Sequence, residues 1–236
     1  MRRVSVIAAG TVAAVGAAAF ARCRLRARGS GAPVRDDGSL FTVYAPGGRY
    51  GFLANGAVGR VIARIMPMAE ADVYDAVAEM LDLQPDDELL DIGCGPGAFL
   101  ATKAQDARSV VGLDPSATML GVAGRKLAER LEVGTARLVT GSAAELPFGD
   151  GEFSAVTAIF APFDHAEAFR VLRPGGRFLL ADNDLRKSTS EPARRWGRQR
   201  WTEAEHRQML LDAGFANPTV RDQGAYRFVS CHKPSA

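Results

Sequence analysis

Apolar residues recur at helical spacing from Asn55 onward. Val58, Ile62, Ile65 and Met66 share one face, and past Pro67 the pattern continues with Val73, Val77, Met80 and Leu81. This period predicts two amphipathic helices, the second beginning after the proline. Pro85-Asp86-Asp87 then breaks the pattern, and Leu89–Gly97 (Leu-Leu-Asp-Ile-Gly-Cys-Gly-Pro-Gly) reads as the end of a buried strand running into a turn. Phe99 and Leu100 resume an apolar pattern beyond it. Further strands are predicted at Ser109–Asp114, Ala136–Ser142, Phe153–Phe160 and Arg177–Asp182, with helices over Met119–Leu131 and Ala166–Leu172. Thr202 and Glu205 have the spacing of a capping box, opening a helix that runs to Gly214. Two alternating runs, Thr219–Asp222 and Tyr226–Cys231, joined through Gln223-Gly224, predict a closing hairpin. Strands alternating with helices imply an α/β domain built on a parallel sheet.

The glycine turn carries the candidate chemistry. Glycine serves where a backbone must bend sharply or let a ligand lie against it, and a strand, glycine-rich turn and helix in series form a nucleotide-type site. Gly93, Gly95 and Ala98 satisfy the dinucleotide spacing Gly-x-Gly-x-x-Gly/Ala, so a nicotinamide cofactor is one reading. Asp91 argues against it, because its carboxylate would oppose a doubly charged pyrophosphate while suiting a cationic amine. Asp114 ends the next predicted strand at the distance where an acid accepts hydrogen bonds from ribose hydroxyls. The other reading of Asp114 is an N-cap for the helix opened by Pro115-Ser116.

Asp91–Gly97 resembles the first motif, Asp-x-Gly-x-Gly-x-Gly, of the class I S-adenosylmethionine-dependent methyltransferases. Ser142–Phe148 resembles that family's Gly-Asp-Ala-Glu-x-Leu-Pro-Phe segment, and Leu172–Leu180 (Leu-Arg-Pro-Gly-Gly-Arg-Phe-Leu-Leu) its turn into strand five. The resemblance implies a Rossmann-like, seven-stranded, mostly parallel sheet with an antiparallel last strand. Helices would cover both faces, with an N-terminal helical cap over the open end. It also implies S-adenosyl-L-methionine as cofactor. Asp91 and the backbone of Gly93, Cys94, Gly95 and Gly97 would hold the amino acid part. Asp114 would hold the ribose, with Pro115 beside it among the cofactor-binding residues, and Ser142 and Ala143 the adenine, with Met119 and Phe160 as an apolar wall. Asp164 and His165 follow strand four, where substrate and methyl donor would meet, and read either as a general-base pair or as an exposed loop pair. Three departures are visible. Ser142 replaces an aspartate, which weakens the expected adenine contact. Ser154 replaces a second acid, and the connection after strand four is short. Together they motivate a rival reading, a cofactor-binding protein without turnover.

Composition narrows the classes. With 47% apolar residues the chain can build a sizeable core. Residues 1–28 hold six arginines and no acid, leaving 23 basic against 27 acidic side chains elsewhere, a net of −4. That part has no electrostatic footprint for nucleic acid. Cys23, Cys94 and Cys231 are too scattered for a disulfide framework or a metal site. Val4–Ala21 is apolar or small throughout and flanked by arginines, and about 18 residues is the lower limit for a membrane-spanning helix. A basic cluster directly behind it opposes export, and the positive-inside rule places the catalytic domain in the cytoplasm, tethered to the inner face of the membrane. The alternative is a peripheral or disordered tail. The expected organisation is therefore residues 1–28 as the possible anchor, 29–84 as linker and cap helices, and 85–236 as the catalytic domain. The acceptor would be a small molecule, and a tether favours a hydrophobic one. Tyr44, Tyr50 and Tyr74 read as packing or substrate-facing residues, and the basic stretch Arg186–Arg200 with Trp196 as a solvated surface or an anion-attracting loop. The sequence does not set the oligomeric state.

Overall fold

A computed structural model describes residues 54–183, 202–224 and 226–235. The possible anchor, Tyr44, Tyr50, Cys23 and the Arg186–Arg200 stretch lie outside these residues. In chain order the elements are α1 (Gly56–Ala69), α2 (Ala71–Leu81), β1 (Glu88–Ile92), α3 (Ala98–Thr102), β2 (Ser109–Asp114), α4 (Ala117–Lys126), α5 (Ala128–Glu132) and β3 (Ala136–Thr140). They continue with β4 (Phe153–Ile159), α6 (His165–Val171), β5 (Leu172–Asn183), α7 (Glu203–Asp212), β6 (Ala216–Gln223) and β7 (Tyr226–His232).

The seven strands form one sheet in the order β3-β2-β1-β4-β5-β7-β6. The first five pair in parallel, and β7 runs antiparallel to both neighbours, as the resemblance implies. Both faces of the central strands are buried, which is why β1, β2 and β4 read as near-continuous apolar runs. Alternation along the strands sends Leu90, Ile92, Val111, Leu113, Val156, Phe178 and Leu180 into one layer with α6 and α7. Leu89, Val110, Ala155, Leu179 and Ala181 enter the other, with α2, α3 and α4. Asp91 has the parity of Leu89 and so faces this second layer. β1 lies between β2 and β4, where the strand order reverses, so the glycine turn leaves the sheet at its topological switch point.

Several boundaries differ from the sequence-based expectation. Pro67 does not end the first helix; α1 continues to Ala69, and the break falls at Glu70. The Met119–Leu131 helix is two helices, α4 and α5, parted at Leu127, whose side chain is buried. β5 begins at Leu172 because Leu172 already pairs with Phe153, and the Arg173–Gly176 turn becomes an irregularity within the β4–β5 ladder. The capping box at Thr202 and Glu205 forms as expected.

Ser154, where the resemblance expects an acid, sits at the amino end of the sheet. Its hydroxyl donates to Asp87 (2.6 Å) and accepts from the Glu88 amide (2.9 Å), while Arg177 pairs with the same buried Asp87. Burial alone would raise the Asp87 carboxyl. The Gln84 amide, the Ser154 hydroxyl and the Arg177 guanidinium outweigh it and hold the group below the usual carboxylate range. A carboxylate depressed in the fold contributes stability above its unfolded pKa and loses it as pH falls through the folded value. Arg177→Met is therefore expected to cost about 2 kcal/mol at neutral pH. Urea denaturation should show the gap from wild type closing on acidification through the carboxylate range.

Candidate active site

Gly93, Gly95 and Gly97 all lie in the left-handed region, at φ +72°, +52° and +68°. The turn they make is held from below and from the side. The amides of Gly93 and Cys94 both donate to the Leu113 carbonyl, at 2.7 and 3.0 Å. A Cβ on Gly93 would lie 2.3 Å from that of Ala161, the residue two past the end of β4. The turn is thus wedged between the exits of β2 and β4.

Asp114 anchors this arrangement. One carboxylate oxygen accepts from the Gly95 amide (2.9 Å), the other from the Ser116 amide (2.7 Å). Ser116 is the N-cap of α4, accepting from the Met119 amide (3.2 Å). Asp114 is therefore not the cap; it joins the glycine turn to the β2–α4 loop and keeps lone pairs for ligand hydroxyls. Burial raises its pKa, against the pull of the two amides.

Asp91 is 2% exposed. Burial pushes its carboxyl up to about 7; the Thr157 hydroxyl, donating at 3.0 Å, pulls the other way, and Asp114 and Glu70 add to the rise. Glu70 comes from the break between the cap helices, where it accepts from the Tyr74 hydroxyl (2.5 Å). Met66 of α1 extends its terminal methyl to 3.4 Å from the position of a Gly95 Cβ. Three carboxylates therefore gather around the glycine turn: Asp114 bonds it, Asp91 leads into it, and Glu70 acts on Asp91 from the cap. Such a mouth repels a pyrophosphate and attracts a cation. Gly97 lets the turn pack tightly on α4, where a Cβ would lie 2.8 Å from that of Ala123, and the buried acid supplies a counter-charge. Together these features fit the cationic amino acid end of S-adenosylmethionine.

Cys94 is buried, and desolvation with Asp91 and Asp114 nearby holds its thiol well above the usual range, so it acts as packing. Its sulfur lies 2.7 Å from where a Gly112 Cβ would be, which explains the glycine within β2. Pro115 is half-buried and Met119 buried beside the α4 cap. Phe160, at φ +53°, turns its half-buried ring toward Tyr226, 5.8 Å between centroids. Ser142 is exposed and accepts from the Ala144 amide (3.1 Å). The Ala143 carbonyl accepts from the Asp164 amide (3.2 Å), bringing those two segments together.

The Asp164–His165 pair is placed differently from the rest. The Asp164 carboxylate caps α6 by accepting from the Glu167 amide (3.0 Å). The His165 ring lies 4.6 Å from Phe163 and 5.6 Å from His206 of α7. Burial lowers its pKa, partly offset by Asp164. Phe163 belongs to the layer opposite Asp91, so the imidazole is not gathered with the three carboxylates. Sequence reasoning passed over Thr157, Glu70, Met66 and Tyr226. Thr157 was visible as a hydroxyl set within the otherwise apolar stretch Ala155–Ile159. Glu70 was visible as an acid between two amphipathic patterns.

Residues 89–176 match the family model described as a methyltransferase domain. Among curated relatives, an uncharacterized methyltransferase of Synechocystis is 38% identical over 113 residues, covering 44% of this chain and 50% of that protein. A demethylmenaquinone methyltransferase of Tropheryma whipplei is 35% identical over 114 residues, covering 45% of this chain and 46% of its own. The chain thus spans about half the length of such relatives. Among solved structures, the cyclase SpnF superposes with a TM-score of 0.61 at 19% identity, covering 72% of this chain and 82% of its own. Geranyl diphosphate C-methyltransferase from Streptomyces coelicolor does so with 0.59 at 17%, covering 77% and 85%. The matched segment is thus similar to a methyltransferase domain, and the described residues share their fold with solved methyltransferase structures.

Proposed function

We propose that this protein binds S-adenosyl-L-methionine at the Asp91–Gly97 turn and catalyses methyl transfer to a small, apolar acceptor. The observation that carries the reading is a buried carboxylate, pushed up to about 7, at the root of a three-glycine turn that a second carboxylate holds in place. Asp91 would meet the amino acid part, with the backbone of Gly93 to Gly97 alongside, Asp114 the ribose hydroxyls, and the Ser142–Ala143 segment the adenine. The cofactor, when bound, supplies a methyl group already activated on a sulfonium. The chain's own tasks are then alignment and exclusion of water, which the cap over the turn serves. Proton removal is needed only for an acceptor protonated at working pH, and the packing of His165 away from the carboxylates favours an acceptor that needs none.

The Phe160–Tyr226 ring pair and Met66 give the mouth an apolar side, and demethylmenaquinone methyltransferases among the relatives support a ring-bearing, poorly soluble acceptor. We further infer a cytoplasmic catalytic domain tethered through residues 4–21 to the inner face of the membrane, a reading supported by the arginine bias of residues 1–28. Among the described residues no helix is long and apolar enough to cross a membrane. A cyclase shares this fold, so a protein that binds the cofactor without transferring its methyl is the second reading. Calorimetry should show binding of S-adenosylhomocysteine and none of NADH. Incubation with labelled methyl donor and a lipid extract should yield a labelled product. Binding without any product would favour the second reading, and NADH binding would overturn both.

A further inference from the structure

Helix α1 has apolar residues on both sides. Its inner side packs Gly59 and Ala63 into the fold and sends Met66 to the glycine turn. Its outer side exposes Val61 (51%), Ile65 (36%) and Met68 (82%), three of the five exposed large hydrophobic side chains among the described residues. Steps of four and three residues align them in one stripe, extended by exposed Ala57 a turn earlier. Beside the stripe, Arg60 and Arg64 stand exposed on successive turns, and α1 contains no acid. The next exposed acids, Asp72 and Asp75, belong to α2. A helix apolar on both sides is stable when something covers its second side.

Charge selects the cover. Residues 1–28 carry six arginines and no acid, so packing that segment onto α1 would crowd like charges against Arg60 and Arg64. A second copy of α1 would do the same. An anionic lipid surface complements both. We propose that the outer face of α1 docks on an anionic bilayer, with Val61, Ile65 and Met68 entering the acyl boundary and Arg60 and Arg64 lying among the phosphates. The start of α1 is tied to α4, where Ser116 donates to the Ala54 carbonyl (2.6 Å) and Gly56 donates to Thr118 (3.1 Å). Docking therefore braces the cap over the glycine turn from outside. That it also brings the mouth to an acceptor dissolved in the bilayer rests on the methyl-transfer reading; the docking itself does not.

The test uses the full chain with Cys23→Ser, since Cys94 and Cys231 are buried. An environment-sensitive fluorophore is attached at Met68→Cys or, as control, at Val133→Cys, a position of similar exposure on another element. Vesicles are phosphatidylcholine with or without phosphatidylglycerol. A blue shift with quenching by lipid-borne quencher is expected at position 68 only, and only on anionic vesicles. Arg60→Gln with Arg64→Gln should weaken partitioning about thirtyfold. Co-sedimentation with no change at position 68 would assign membrane binding to another segment and overturn the proposal, as would no binding. A probe at position 68 already shielded in vesicle-free buffer would overturn it in favour of a cover from the protein itself. S-adenosylhomocysteine binding, measured in buffer on the same proteins, reports separately on the glycine turn.

Discussion

Asp91→Asn is expected to make the protein more stable at about pH 8 and, at the same pH, to remove most of its affinity for S-adenosylhomocysteine. Both effects come from the same burial. The carboxyl titrates near 7 in the fold against an ordinary value of 3.8, so the native state favours the neutral form. An acid raised in this way leaves the fold unburdened below its unfolded pKa. Stability then declines as pH climbs from about 4 to about 7, with a constant penalty above. Three units would correspond to on the order of 4 kcal/mol, an upper bound once local relaxation is allowed. Asparagine keeps the shape and still accepts from Thr157. The melting temperature should therefore rise by several degrees at about pH 8 and match wild type at about pH 4. Binding should weaken by a hundredfold or thereabouts, because an ammonium group would lose its counter-charge in a dry site. In wild type, affinity should increase as pH rises toward 7, since the ionised carboxylate is the form that pairs. Unchanged affinity in Asp91→Asn would sink the assignment of the amino acid subsite.

Gly93→Ala should damage both fold and site. The added methyl would start 2.3 Å from the Ala161 Cβ, and the backbone at φ +72° is one that L side chains rarely adopt. Overpacking and strain together should cost about 2–4 kcal/mol, with the turn displaced from the β4 exit and binding lost. Adding Ala161→Gly removes the contact but leaves the backbone strain, so the double variant should recover part of the stability. Equal stability of the single and double variants in urea would show that the close approach to β4 carries no energy.

The strand Ser109–Asp114 was readable residue for residue, and the capping box at Thr202 likewise, because each is encoded within a few neighbouring positions. So were the glycines of the turn, whose unusual backbone is a property of single residues. Asp91 and Asp114 could be picked out as acids at the right distances from that turn, but what surrounds them could not. Asp91 meets Thr157 across 66 positions of sequence through the β1–β4 register, and Glu70 arrives from a helix break placed at a proline three residues too early. His165 and Asp164 looked suitable because they follow a strand. Which layer they enter depends on the packing of Phe163 against Phe178 and of His165 against His206.

What the amino-acid order settled alone is the alternating architecture, the turn after β1 and the identity of its acids, since periodicity, capping and glycine conformations act over a few residues. Only the assembled sheet and cap decided that Asp91 is dry, that Asp114 secures the turn rather than capping a helix, and that α1 keeps an apolar side outward. Burial and proton affinity are set by neighbours far away in the chain, and these meet only when the strands pair and the helices close over them.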